Sequence, residues 1–303
     1  MRVAIATCSA IPPDLQPDRL LVEALERREV AVAVVPWDDP SASWQDHDRV
    51  VIRSTWDYTR RRDRFLAWAD AIGGRLDNPL TMVRWNSDKR YLADLAAAGV
   101  AVVPTTYLAP GEPLPSFDGE VVVKPAVSAG AIDTGRFSDR TRSEAEALVA
   151  RIHGRGGVAM VQPYLASVDE SGETAVVCID GEVSHALHKG QVLRPDEVAP
   201  VREGDGVGAA EVMYDPELVR AASADDAEVA FARRVIDAVT ARFGAPPLYA
   251  RVDMVRGPDG SPVLMELEAV EPDLYLDEAP AAAERLAAAI VRRVGPAGGQ
   301  RLP

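Results

Sequence analysis

The sequence predicts an α/β fold in which a small parallel α/β unit leads into two α+β lobes. Three observations support this. Apolar strands alternate with an amphipathic helix at βαβ spacing over the first 54 residues. Two Asp-Gly pairs, Asp180-Gly181 and Asp259-Gly260, each sit between alternating apolar and polar runs, the pattern of tight β-hairpins. Two helical patterns, over 143–153 and 225–243, separate strand-like segments.

Taken in order, residues 2–7 (Arg-Val-Ala-Ile-Ala-Thr) read as a buried strand and Asp18 to Glu29 as an amphipathic helix. Residues 30–35 read as a second strand and 50–54 as a third. In such sheets ligands sit beyond the carboxyl ends of the strands, where Thr7-Cys8-Ser9 and Ser54-Thr55-Trp56-Asp57-Tyr58 lie. The second segment packs hydroxyls, a carboxylate and two aromatics together, which makes Thr55, Trp56, Asp57 and Tyr58 candidates for substrate contact. A capped turn buried by Trp56 and Tyr58 is the alternative. Arg60-Arg61-Arg62 with Arg64 opens a helix and reads as a solvated face. Asn78-Pro79 marks a boundary near residue 80. Ser87-Asp88 caps a helix to Ala98, with Lys89 in its first turn. Strands near 101–107 and at 120–124, a helix at 143–153 and a strand at 157–162 follow. The Asp180-Gly181 turn joins strands 173–179 and 182–189, and residues 190–216 read as a long loop of the kind that forms lids. A helix over 225–243, the second hairpin, a helix over 281–294 and a frayed tail from Gly295 complete the chain.

Composition narrows the function. A net charge of −14 without a large basic patch argues against nucleic acid as partner. No apolar stretch approaches a membrane span, and Met1-Arg2 runs straight into the first strand without a secretory leader. Cys8 and Cys178, far apart in apolar surroundings, read as core thiols of a reducing cytoplasm. The N-terminal unit could present an apolar face to a twin, so a homodimer is an open alternative.

The Asp259-Gly260 hairpin carries the chemistry. Side chains alternate along a strand, so Arg251 shares a face with Asp253, and Glu266 shares one with Glu268. With Asp259 and Gly260 as the central turn residues, Asp253 lies opposite Glu266 and Arg251 opposite Glu268. Like charges across a ladder repel, and hard oxygen ligands on rigid strands suit Mg²⁺ held together with substrate phosphates. A solvated face on which Arg251 balances the acids is the alternative. The cations point the same way. The chain has 33 Lys and Arg residues together, of which Lys89, Lys124 and Lys189 are the only lysines. An ammonium is a compact charge that fits a phosphate oxygen where a guanidinium would not. Lys124 ends a strand and enters the small-residue run Ala126–Ala131, where backbone amides can approach an anion.

In sum the arrangement resembles the ATP-grasp ligases. The matching elements stand in the family's order: Ser87-Asp-Lys-Arg, Val-Val-Lys124-Pro, Met160-Val-Gln-Pro-Tyr-Leu165, Glu173 in Gly-Glu-Thr-Ala-Val, Lys189, Arg251-Val-Asp253 and Glu266-Leu-Glu268. The resemblance implies an ATP-grasp fold with an N-terminal α/β domain at 1–85, a small lobe at 86–158 and a large lobe at 159–303. It implies that Lys89, Lys124 and Ser128 bind ATP phosphates, and that Gln162, Tyr164 and Leu165 form the hinge beside adenine. Glu173 would hold the ribose, and Lys189 would reach the phosphate tail. Asp253, Glu266 and Glu268 would hold one or two Mg²⁺ ions, or Mn²⁺, with Arg251 stabilising the transferred phosphoryl group. The family commonly has an acid at Gln162 and asparagine at Glu268; the second change could join Glu268 to Arg251 and leave one ion.

The implied reaction is phosphoryl activation of a carbonyl or carboxylate followed by amine attack on a small amino-acid-like substrate. The runs at 54–58 and at Ser184-His-Ala-Leu-His-Lys189 are similar to a subgroup that includes the cyclo-ligase forming D-cycloserine from O-ureido-D-serine. There the ureido carbonyl would be activated and the molecule's own amine would attack. Intermolecular amide formation and non-catalytic nucleotide binding are the alternatives. His185 and His188, three apart on a strand, are expected on opposite faces.

Overall fold

The computed structural model describes residues 1–12, 15–195, 207, 215 and 217–294. Most of the expected loop at 190–216, and the tail from Gly295, lie outside the described residues.

The N-terminal unit is a parallel sheet of β1 (Arg2–Thr7), β2 (Ala31–Pro36), β3 (Arg49–Ile52) and β4 (Leu76–Asp77), in the order β2-β1-β3-β4. Helices α1 (Arg19–Glu26) and α2 (Arg62–Ile72) follow β1 and β3. Val3 to Ala6 are fully buried, as an unbroken apolar run demands of a central parallel strand. One face packs on the aromatic group Trp37, Phe65 and Trp68. The arginine run is not a free solvated face: Arg61 ion-pairs with Asp38 and Asp57, and Arg62 bonds Ser87.

Two helices then follow, α3 (Leu80–Asn86) and α4 (Tyr91–Ala97), where the sequence suggested one. Residues 87–90 form the turn between them and present Lys89 from a loop rather than from a helical turn. The second sheet joins β5 (Thr106–Leu108), β6 (Val121–Pro125), β7 (Gly135–Phe137) and β8 (Ala159–Pro163) in the order β5-β8-β6-β7, backed by α5 (Arg142–Gly154). Thus β8 pairs with β6 in this sheet, although the lobe boundary implied by the resemblance put residues from 159 onward in the large lobe.

After α6 (Ser167–Ser171) comes the third sheet: β9 (Glu173–Ile179), β10 (Glu182–Lys189), β11 (Val219–Ala222), β12 (Tyr249–Arg256) and β13 (Pro262–Glu268), in the order β11-β10-β9-β12-β13. α7 (Asp226–Phe243) begins with a capping box between Asp225 and Glu228, and ends at Gly244 in the left-handed conformation. α8 (Pro280–Val294) packs on α1 and β9, so the parallel unit and the third sheet share one apolar core.

Buried amides lock these parts. Asn78 donates to the carbonyls of Tyr249 and Ala269, at 3.0 and 2.9 Å, and accepts from Leu248 N. Asn86 and the Tyr91 hydroxyl occupy backbone groups of Leu267 and Ala269. The outer edge of β13 is thereby tied to the segment that carries Asn86 and Tyr91.

Candidate functional site

The β12–β13 hairpin pairs Asp253 with Glu266 and Arg251 with Glu268, as read from the sequence. Two departures cancel to give that result. Gly257 N–H bonds Ser261 O at 2.8 Å, so the loop holds three residues rather than two. A bulge between Asp253 and Met254 leaves Met265 unpaired and restores the offset. On the other side of β12, Asp253 pairs with Ala175 and Arg251 with Val177. Lys189 pairs with Glu173 across β10 and β9. Strand alternation then puts Lys189, Glu173, Asp253, Arg251, Glu266 and Glu268 on one face of the third sheet.

That face forms one wall of a cavity of about 680 Å³ between the two antiparallel sheets, closed at one end by the N-terminal unit. From the opposite side come Lys89, Lys124, Ser128, Gln162, Tyr164 and Leu165. Every residue expected to bind nucleotide or metal thus lines a single cavity. Val103, Val122, Leu165, Val168, Met265 and Leu267 give it an apolar stretch.

Its charges are ordered. Arg251 grips Asp253 through two nitrogens, each at 2.8 Å, and also contacts Glu268. Lys189 lies 3.0 Å from Asp253 and 3.2 Å from Glu173. Burial opposes ionisation of Asp253, but Arg251 and Lys189 outweigh it and hold the carboxyl well below the usual carboxylate range. Burial likewise opposes the Lys189 charge, which Asp253 and Glu173 sustain. Lys89 sits 3.1 Å from Glu266 and donates to Ser128 O at 2.6 Å, so it anchors the small-residue loop. Gly130, Ala131 and Asp133 all have positive φ there, and Arg151 and Arg155 clamp Asp133.

Lys124 differs. It is buried, faces the cavity, and makes no hydrogen bond or ion pair among the described residues. Burial lowers its pKa against the pull of Glu266. An uncompensated buried ammonium is costly, and an anion in the cavity would relieve it. The acids do not form a ready cage: among the described residues no three metal-ligating side chains gather about one point. Glu268 is held by Arg251, as the sequence allowed, and burial still pushes its carboxyl up to about 7.

Other expectations require correction. Thr55 and Asp57 do not line the cavity. Thr55 is fully buried with an unpartnered hydroxyl, and Asp57 accepts from Trp37 Nε1 at 2.8 Å and pairs with Arg61. Trp56 and Tyr58, two residues apart, do reach it. At the hinge, Tyr164 N–H is taken by Glu120 O, and the Gln162 side chain donates one bond to Thr105 Oγ1 at 2.8 Å. The Tyr164 ring lies 3.5 Å from the Arg136 guanidinium carbon. His185 bonds Leu274 O and His188 lines a separate depression, on opposite sides of β10.

Sequence reasoning missed Glu271, Asp273 and Tyr275, which line the cavity beside Trp56. They follow β13 in Glu271-Pro-Asp-Leu-Tyr275, and the acids at alternate positions beyond Glu268 were the available signal.

Known proteins agree with this architecture. Residues 3–78 match the family model described as the N-terminal domain of D-cycloserine synthetase DcsG. Over 290 residues the chain is 37% identical to the cycloserine biosynthesis protein DcsG of Streptomyces lavendulae, covering 91% of this chain and 93% of that protein. The crystal structure of D-cycloserine synthetase DcsG superposes with a TM-score of 0.85 at 34% identity, covering 97% of this chain and 100% of the other. D-alanine–D-alanine ligase from Bacillus anthracis, complexed with ATP, matches with a TM-score of 0.67 at 15% identity over 97% of both chains. At that identity the likeness speaks for the ATP-grasp fold alone.

Proposed function

The chain belongs to the D-cycloserine synthetase family of ATP-grasp ligases, and on that premise we propose that it closes O-ureido-D-serine to D-cycloserine at the expense of ATP. The observation that carries the nucleotide part is Lys124, a buried ammonium without an anion, converging on one cavity with Lys89 and Lys189. Phosphate oxygens would supply the anionic partner that Lys124 lacks among the described residues. Val103, Val122 and Leu165 offer apolar surface for adenine, and Glu173 stands at the start of β9 to accept from ribose.

The donor set fits a hard divalent cation. Asp253 and Glu266 offer carboxylate oxygens on adjacent strands, and Mg²⁺ usually takes only one or two carboxylates together with phosphates. With Glu268 engaged by Arg251, one ion is the expected load. Mg²⁺ bound there would neutralise charge on the transferring phosphoryl group. Arg251, preorganised by Asp253 and Glu268, would stabilise the same charge from the sheet face.

Bond bookkeeping refines the reaction. D-cycloserine keeps a free α-amino group, and its ring nitrogen is the one bonded to oxygen. The electrophile is therefore the α-carboxylate, not the ureido carbonyl, and the nucleophile is the N–O nitrogen, not the α-amine. A carboxylate oxygen attacks the γ-phosphorus and ADP departs. The N–O nitrogen then attacks the acyl carbon, phosphate leaves, and that nitrogen gives up its proton. Water finally removes the carbamoyl group as carbon dioxide and ammonia. Arg251, on the cavity wall, would face the acyl phosphate. No protein nucleophile is required, in keeping with buried, high-pKa thiols at Cys8 and Cys178. Free buried cysteines also suit a reducing compartment.

ADP release measured with O-ureido-D-serine, its L-enantiomer, and pairs of simple amino acids tests this reading. Turnover of the D-ureido compound with formation of the ring is expected. Turnover only with amino-acid pairs would replace it with intermolecular ligation.

A further inference from the structure

We propose that Glu271 binds the α-ammonium group of the substrate, and so selects zwitterions at the end of the cavity nearest the N-terminal unit. This rests on the function proposed above. Of the cavity acids, Asp215, Asp273 and Glu278 are exposed, and Glu173 is paired with Lys189. Asp253, Glu266 and Glu268 each touch a cation from the protein. Glu271 also lines the cavity, yet no Lys, Arg or His approaches it within ion-pair distance among the described residues.

Its position is built rather than incidental. Trp56 Nε1 donates to the Glu271 carbonyl at 3.1 Å, fixing the backbone just beyond β13. Tyr58 lines the cavity beside it. Both aromatic side chains come from the N-terminal unit and both line the cavity. A half-buried carboxyl with no protein cation beside it has unused acceptor capacity, and its ionised form has an unbalanced charge. A ligand ammonium satisfies both. Glu268 stands three residues before Glu271 in the chain, with the Arg251 guanidinium beyond it, so an amino acid held by its ammonium at Glu271 directs its carboxylate toward Arg251. That orientation suits phosphorylation of the carboxylate.

The α-ammonium is a spectator: the ring product retains it. Its contact with Glu271 is present in substrate, transition state and product alike, and should therefore appear in KM and in product affinity more than in kcat. This distinguishes Glu271 from Arg251, whose partner changes charge during the reaction.

The test compares O-ureido-D-serine with 3-(ureidooxy)propanoate, the same molecule without the amino group, in the full-length wild type and in Glu271→Gln. Wild type should show a KM for the zwitterion lower by ~10- to 100-fold, the range expected of a charge-assisted contact. Glu271→Gln, which keeps the volume and a side-chain acceptor, should lose that preference while its KM for the des-amino compound moves less than about threefold. Equal losses on both substrates would show a structural role and overturn the assignment. Product inhibition of wild type by D-cycloserine and by isoxazolidin-3-one gives the same comparison without a variant, and equal inhibition would also overturn it. Wild type inactive on O-ureido-D-serine would instead overturn the substrate assignment, and this inference with it.

Discussion

Asp253→Asn puts the central ion-pair network to a quantitative test. The carboxylate accepts two bonds from Arg251 at 2.8 Å and one from Lys189 at 3.0 Å, and the residue is 2% exposed. Asparagine keeps one oxygen and turns an NH₂ toward a guanidinium or an ammonium. Arg251 retains Glu268 and Lys189 retains Glu173, so neither cation is orphaned. Removing one partner from a buried pair costs about 3–5 kcal/mol, and the remaining acids should hold the loss near ~3 kcal/mol. Urea unfolding of the ligand-free protein at pH 7.5 measures it. The pH dependence supplies a second check. Asp253 has a depressed folded pKa, so its contribution is fully present above the ordinary carboxylate pKa of about 4 and is lost only as pH falls through the lower folded value. Asp253's own titration should therefore leave the gap between wild type and variant unchanged from pH 8 down to about pH 4, and any slope near pH 7 reports Glu268, whose carboxyl Asp253 helps to raise. In the same variant ADP release should fall by roughly a thousandfold or more, since the Mg²⁺ donor and the support of Arg251 go together. Stability within ~1 kcal/mol of wild type with unchanged turnover would refute the assignment of Asp253 as the site's anchor.

Two further outcomes follow from the unbalanced groups. Lys124→Met removes a buried ammonium that has no anion in the ligand-free protein, so stability should hold or rise by ~1–3 kcal/mol while ATP affinity drops by roughly a hundredfold, as read by urea unfolding and calorimetric titration. Burial, and then the charge of Glu268, push the Glu271 carboxyl up to about 8. Between the ordinary pKa of about 4.3 and that value the folded protein holds a proton that the unfolded chain has released, so ligand-free stability falls as pH rises through this window. Glu271→Gln should make that decline shallower by roughly 3 kcal/mol between pH 5 and pH 9, in paired urea titrations.

The cavity's two walls differed in how far they could be read from the chain. Strand alternation and Asp-Gly turns are local rules, and they suffice to locate Glu173, Lys189, Arg251, Asp253, Glu266 and Glu268 on their strands. The hairpin register came out right although its turn and its bulge each differ from the simplest form, because one added residue offsets the other. Local rules failed where long-range bonds decide. Thr55 and Asp57 sit between two cavity residues, yet the Trp37 indole and Arg61 draw Asp57 into the N-terminal core. Tyr164 was expected at the hinge, yet its amide is taken by Glu120, on the neighbouring chain segment.

By itself the chain's order of lysines, acids and turns determined the α/β class, the succession of sheets and the identity of the groups that meet. Periodicity and turn chemistry operate over a few residues and survive without a partner. Only the tertiary structure decided which charges are spent on one another. Arg251 and Lys189 are neutralised by Asp253 and Glu173, whereas Lys124 and Glu271 are left open to the cavity. That distinction depends on distances across three sheets and on the exclusion of water between them, and no spacing along the sequence encodes either directly.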